Sequence, residues 1–402
     1  MNTLALLLFF AAADWPQWGG PNRNFVVPDA RAIAPWPESG PKTLWRRSLP
    51  FGSSSVTVDG DGLYTMYRGE GDTEVVLALN ASTGKTLWEY KYPAAFLKGM
   101  NMNPGPGPHA TILVDGPRIY SAGVTGTLRC LDKRSGKVLW TKGLIEELGG
   151  TVMLRGYSNS PLRYKDTLIV MTGGPGHMLT ALDLKTGDVR WQGGDFSNSH
   201  SSPVLINVNG QDQVVCVVEK AIAGFDPNNG KTLWSHAHEN RGGDITTTPI
   251  WGPDNILFFS GAYQGGSRAL ELTRSNGATQ VKELWFHRQM RVHHSNVMRI
   301  GDYVYGPNGD FGATIYLCAN IRTGEIKWRE RALVRANTIL IGQMVLILDE
   351  DGVLYHASLS PEGVKINAKA KVLESLSWTP PSIAGKRVYL RDRKSIVALE
   401  LN

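Results

Sequence analysis

A chain of 402 residues with 42% hydrophobic and 19% charged side chains is too apolar to stay disordered, and long enough for several domains or one large repeat. Its formal charge of +6 comes from Lys and Arg scattered without a dense basic run, which argues against nucleic acid as a partner. Forty-five glycines and 12 tryptophans suit many tight turns between short strands, with a large aromatic returning at fixed places.

The first element is an apolar run from Leu4 to Phe10, followed by Ala11, Ala12 and Ala13, small residues of the kind a signal peptidase accepts. Residues 1–13 are therefore expected to be a signal peptide, although no Lys or Arg precedes the run. The run is too short to span a bilayer, so no transmembrane segment is expected. No cysteine marks a lipid-attachment point. Residues 14–41 read as an N-terminal lead-in, and residues 42–402 as the folded body.

Within that body one phrase recurs: "LNASTGKTLWEY", "LDKRSGKVLWTK", "LDLKTGDVRWQG", "FDPNNGKTLWSH" and "ANIRTGEIKWRE". In each, a Gly stands four residues before a Trp: Gly84 and Trp88, Gly136 and Trp140, Gly187 and Trp191, Gly230 and Trp234, Gly324 and Trp328. A looser copy runs from Gly277 to Trp285 with a four-residue insertion. The phrase is a β-hairpin, with a polar turn whose Gly takes positive φ and an alternating strand that presents the Trp. Two further strand-like runs precede each phrase, so each unit is a four-stranded propeller blade, and the Trp is expected to fill the gap between blades.

Residues 338–359 begin a degenerate seventh blade whose turn has become "SPEG". The last run, "SIAGKRVYLRDRKSIVALELN", supplies three strands and lacks a Trp strand, while "KTLWRRSL" near Trp45 is a Trp strand lacking the other three. Together they complete an eighth blade and close the ring, which removes two sheet edges. Cys130, Cys216 and Cys318 lie in apolar strand text and read as small buried hydrophobes.

The phrase in "CLDKRSGKVLW" and "ALDLKTGDVRW" resembles the pyrroloquinoline-quinone-type (PQQ-like) repeat of the quinoprotein alcohol dehydrogenase-like superfamily. The opening "DWPQWGGPNRN" (Asp14 to Asn24) resembles the lead-in of exported bacterial members. The resemblance runs from Asp14 to the end and implies an all-β, eight-bladed β-propeller. Its functional implication is divided, because the family holds both quinoprotein alcohol dehydrogenases and non-catalytic proteins. One of the latter, similar in size, is a lipoprotein subunit of the outer-membrane β-barrel assembly machine. The dehydrogenases hold PQQ between a Trp floor and a disulfide of adjacent cysteines, with Ca²⁺ on Glu, Asn and Asp oxygens and an Asp as base. No two cysteines are adjacent here, and neither the calcium oxygens nor the base can be placed. No catalytic residue and no metal site are assigned, and no cofactor is expected unless the chain is an oxidoreductase, which would use PQQ with Ca²⁺.

The start of each innermost strand should stand at one mouth of the channel. Aligning the blades puts Ser53, His109, Asn159, Ser201, Thr247 and His294 there, with His200 and His293 one residue earlier and Asn337 and Trp378 as looser matches. These residues either contact a small anionic or metal ligand or cap a water-filled channel. The long loops 92–108 and 143–156 should crowd the same mouth. His236 and His238 read as outer-strand surface histidines, and "DGDG" (59–62) and "DEDG" (349–352) as hairpin turns. The reading is a periplasmic or secreted bacterial binding or scaffold module, a monomer, whose partner is an envelope protein or a small polar ligand. A small PQQ-dependent alcohol or sugar oxidoreductase is the first alternative, and a carbohydrate- or peptide-binding sensor the second.

Overall fold

Hairpin turns at the repeat positions organise the chain into eight sheets, each built on four strands with antiparallel neighbours. The computed structural model describes residues 14–27, 33–103, 105–239, 246–263, 265–310, 312 and 314–401; the expected signal peptide, 1–13, lies outside them. Blades 1 to 7 span residues 57–93, 113–143, 162–193, 204–237, 250–287, 298–330 and 337–371. Blade 8 combines Ser382–Ala384, Arg387–Arg391 and Ser395–Glu400 with Lys42–Ser48, which pairs antiparallel to Ser395–Glu400. The ring is therefore an eight-bladed β-propeller closed by the two ends of the folded body. Arg391 locks this seam: fully buried, its Nη1 donates to Ser54 O, Thr65 Oγ1 and Met66 O of blade 1.

The outer strand does not alternate simply. In all eight blades its pairing with the third strand slips at one residue, Leu44, Leu87, Leu139, Arg190, Leu233, Leu284, Lys327 or Asn367. A bulge there re-aims the following side chain, which is the Trp in seven blades. Each Trp lies opposite a small residue of the third strand, such as Ala78, Cys130, Gly224 or Cys318. This is why two of the three cysteines recur at one repeat position, and all three are free and buried. Blade 7 reverses the pair, with His356 opposite Ala368. Trp36 is buried edge-on to that His356, whose Nε2 bonds Ile33 O.

The Trp rings join blade to blade. Nε1 of Trp45, Trp88, Trp140, Trp285 and Trp328 donates to a carbonyl in the next blade's turn. Trp191 packs on the next turn at Gly230. Trp234 differs, donating to Gln213 Oε1 of its own blade at 2.7 Å. The insertion in blade 5 explains it: Gly266–Ser275 and Ala278–His287 form a hairpin of ten-residue strands around Asn276-Gly277, both with positive φ, so the usual turn is displaced. The repeat Gly has a second duty beyond its backbone. At Gly187 (φ 76°) a Cβ would lie 2.8 Å from the ring of Trp140.

The lead-in is part of the propeller. Trp15 exchanges both backbone bonds with Val58 in blade 1, and Pro16 O accepts from Val114 N in blade 2. Trp18 Nε1 donates to Thr248 Oγ1 just ahead of blade 5, and the buried Arg23 donates to Ser160 O and Pro161 O beside blade 3. Val26–Val27 then pairs parallel to Leu340–Ile341 of blade 7. A segment bonded to inner strands on opposite sides of the ring must cross the channel, so the chain's own residues 14–27 fill it.

Candidate functional site

The inner strands start at one mouth, where a cavity of about 210 Å³ is ringed by residues of all eight blades. Trp18 of the lead-in reaches it from within, so the mouth is a cup and not the end of an open channel. His109, His200, His293, His294, Asn337 and Trp378 line it, as does Ser53. Gly105 and Arg155 bring in the two long loops, which brace each other through Asn101 N to Leu154 O at 2.7 Å and Arg155 Nη1 to Asn101 O at 2.6 Å.

Asn159, Ser201 and Thr247 do not line the cup. Their neighbours Ser158, Ser160, His200, Ser202, Thr246 and Thr248 do. Extended backbone sends successive side chains to opposite sides, so an offset of one residue in the blade alignment exchanges cavity for interior. The three residues stitch adjacent blades instead. Asn159 Nδ2 donates to Ser199 O and Ser201 O, Ser201 Oγ to Thr247 O, and Thr247 Oγ1 to Val292 O. His236 and His238 also separate. His236 bonds Glu283 at 2.8 Å, whereas His238 is not a surface residue: it is fully buried edge-on to Phe259 and accepts from Arg268 Nε.

The four cup histidines are neutral near pH 7. Burial pulls His109 down to about 4. Burial, then the positive charge of His109 and Arg155, takes His200 to about 3. His293 falls to about 4 by burial, against the pull of Asp310. His294 falls to about 2 through burial, with His293, Arg335, His109 and Arg393 adding repulsion. His294 stacks flat on Trp378 (4.3 Å between centroids, 5°), and His293 lies 3.6 Å from His294 and edge-on to Tyr263. Tyr263, His294 and Arg335 hold positive φ (48°, 54° and 39°), a concentration of backbone strain around the mouth.

Carboxylates stand behind the cup. Glu350 accepts from Trp378 Nε1 and pairs with Arg335; Asp310 accepts from Tyr263 N and pairs with Arg291. Among the described residues no carboxylate lines the cavity, and no three His, Cys, Asp or Glu side chains gather to hold a metal ion. A Ca²⁺-bound quinone needs six to eight oxygens around its cation, and the described lining offers hydroxyl and amide groups with imidazole nitrogens. Trp378 already carries His294 on its ring. The described residues therefore do not fit Ca²⁺ with PQQ.

The expected loops 92–108 and 143–156 deliver Gly105 and Arg155, whereas the sequence reading missed Trp18, Tyr263 and Arg393 in the cup. The paired Trp15 and Trp18 of "DWPQWGG", outside every hairpin phrase, were the available clue.

A family model described as outer membrane protein assembly factor BamB matches residues 31–106 and 99–330. The outer membrane protein assembly factor BamB of Moranella endobia (strain PCIT) is 23% identical over 328 residues, 76% of this chain and 75% of that protein. BamB from Moraxella catarrhalis matches in structure with a TM-score of 0.63 at 19% identity, over 89% of this chain and 97% of that one. Quinohemoprotein alcohol dehydrogenase from Comamonas testosteroni matches with a TM-score of 0.66 at 13% identity, over 96% and 80%. Likeness at such identities speaks to the ring of blades alone. Among the described residues no helix is long and apolar enough to cross a membrane.

Proposed function

This chain belongs to the PQQ-like β-propeller family described as outer membrane protein assembly factor BamB, and from that membership we propose that it is an exported, non-catalytic scaffold of the bacterial envelope. It loses residues 1–13 on export, works in the periplasm as a monomer, and docks an envelope protein on its mouth face. The observation that carries the docking reading is the pair of mutually braced loops, which expose Phe96, Val152 and Leu154 at 40%, 41% and 47%. Exposed apolar side chains grouped on loops held by a rigid ring are what a docking face needs.

The test is genetic and biochemical together. In the host, loss of the gene should lower outer-membrane β-barrel protein levels, and a Phe96→Asp/Leu154→Asp chain with unchanged thermal stability should fail to restore them. Full rescue by that variant, or no effect of the deletion, would remove the docking reading. N-terminal sequencing of the fractionated protein should begin at Asp14, and dye-linked alcohol oxidation after loading with PQQ and Ca²⁺ would overturn the non-catalytic part.

A further inference from the structure

We infer that the cup at the channel mouth is a binding site for a small neutral polyhydroxyl compound, about the size of one hexose. The cup adjoins the braced loops, which lend it Gly105 and Arg155, but the exposed Phe96, Val152 and Leu154 do not line it, so binding by the free protein is tested independently of the docking reading. Its first support is shape. Trp18, held by Thr248 Oγ1 at 2.9 Å, stands at the inner end of a space of about 210 Å³.

The second support is the donor and acceptor balance. A neutral imidazole offers one N–H and one lone pair, and the hydroxyls of Ser53, Ser158 and Ser202 both donate and accept. Hydroxyl groups match such a lining, whereas a carboxylate needs donors and a metal ion needs anionic oxygens. The cup's two guanidinium groups are engaged in the fold: Arg155 donates to Asn101 O, and Arg393 lies over the rings of Trp378 and Phe51. Aromatic surface from Trp18 and Tyr263 completes the lining for a ligand with both C–H and O–H faces.

Isothermal titration of the whole protein with D-glucose, N-acetyl-D-glucosamine and D-mannitol, and separately with citrate and with PQQ plus Ca²⁺, tests the inference. At least one neutral probe should bind by about 10 mM, and more tightly than citrate or the quinone. Ser53→Ala, which deletes a lining hydroxyl, should weaken that binding about 3- to 10-fold while leaving thermal stability unchanged. His109→Phe, which removes a lining imidazole's N–H and lone pair, should weaken it similarly. Silence from every neutral probe, tighter binding of citrate or PQQ with Ca²⁺, or unchanged affinity in both variants would overturn the assignment.

Discussion

Replacing Trp140 with Ala tests the packing that joins the blades. The side chain is 9% exposed, lies over Cys130 in its own blade, meets Tyr120 at 5.9 Å, and reaches Leu184 O of blade 3 with Nε1 at 3.3 Å. A buried Trp covers about 150–250 Å², worth about 4–6 kcal/mol at about 25 cal/mol per Å²; this is an upper bound, because the unfolded chain already hides part of that surface. Leu184 O keeps a bond from Tyr120 Oη at 2.9 Å, so truncation leaves no orphaned carbonyl there. The Gly187 turn has no side chain with which to fill the space. The expected cost is therefore about 3–5 kcal/mol, the ordinary range for removing a large core aromatic. Trp234→Ala should cost as much, since that ring is 6% exposed and its loss strips Gln213 Oε1 of a donor. Urea titrations followed by far-UV circular dichroism give the midpoint and slope separately. Costs below about 1 kcal/mol for both variants, at unchanged slope, would refute the idea that these rings carry the blade interfaces.

Gly187→Ala should cost clearly more than Gly210→Ala. Both have positive φ, a strain of about 1–2 kcal/mol for a side chain, and only the first puts a Cβ against a Trp; equal costs would mean the repeat Gly serves backbone conformation alone. Arg391→Ala, which removes three bonds across the closing seam, should destabilise by about 3 kcal/mol or more, because buried acceptors are left unpaired; a neutral result would show that the paired outer strands close the ring unaided. Acidification should weaken the fold between pH 6.5 and 4: the cup histidines have folded values of about 4, 3, 4 and 2, so the unfolded chain takes up protons first, and their contribution is full above pH 6.5 and lost below it. Glu74 and Asp349, raised by burial, act in the opposite sense, so the measurement is a difference: His294→Asn should lose less stability than the parent between pH 7 and 5, and parallel curves would refute the assignment.

The blade count was legible because five hairpin phrases share one Gly-to-Trp spacing, and because the chain's two ends hold complementary parts of one blade. The bulge before each Trp was not, since a strand with one extra residue reads in sequence like one without it. Register at the mouth was half legible. His109, His200, His293 and His294 are large enough to mark the strand starts, whereas runs such as Ser158-Asn159-Ser160 and His200-Ser201-Ser202 look alike shifted by one, and that shift exchanges cavity for interior. The channel plug was hidden for another reason. Residues 14–27 follow neither the period of a strand nor that of a helix, because their backbone is bonded to blades 1, 2 and 7 in turn while the side chains of Trp18 and Arg23 reach two others.

These placements divide the propeller into two ends with different demands. Towards the far end the channel is filled by Trp15, Phe25 and Val27, all buried in the largest hydrophobic cluster, and by backbone bonds to the inner strands. At the mouth the same ring presents strained residues and neutral histidines, which cost stability in isolation and persist only where the surroundings over-determine them. The plug and the Trp joints supply that over-determination. Because every blade contributes to the lining, the cup exists only once the ring has closed, and Arg391 makes the dependence direct: it holds Ser54 O, next to the lining residue Ser53, and lies two positions before Arg393. A change at the seam should therefore loosen the cup without touching its surface, so that ring closure and the shape of the site are one physical event.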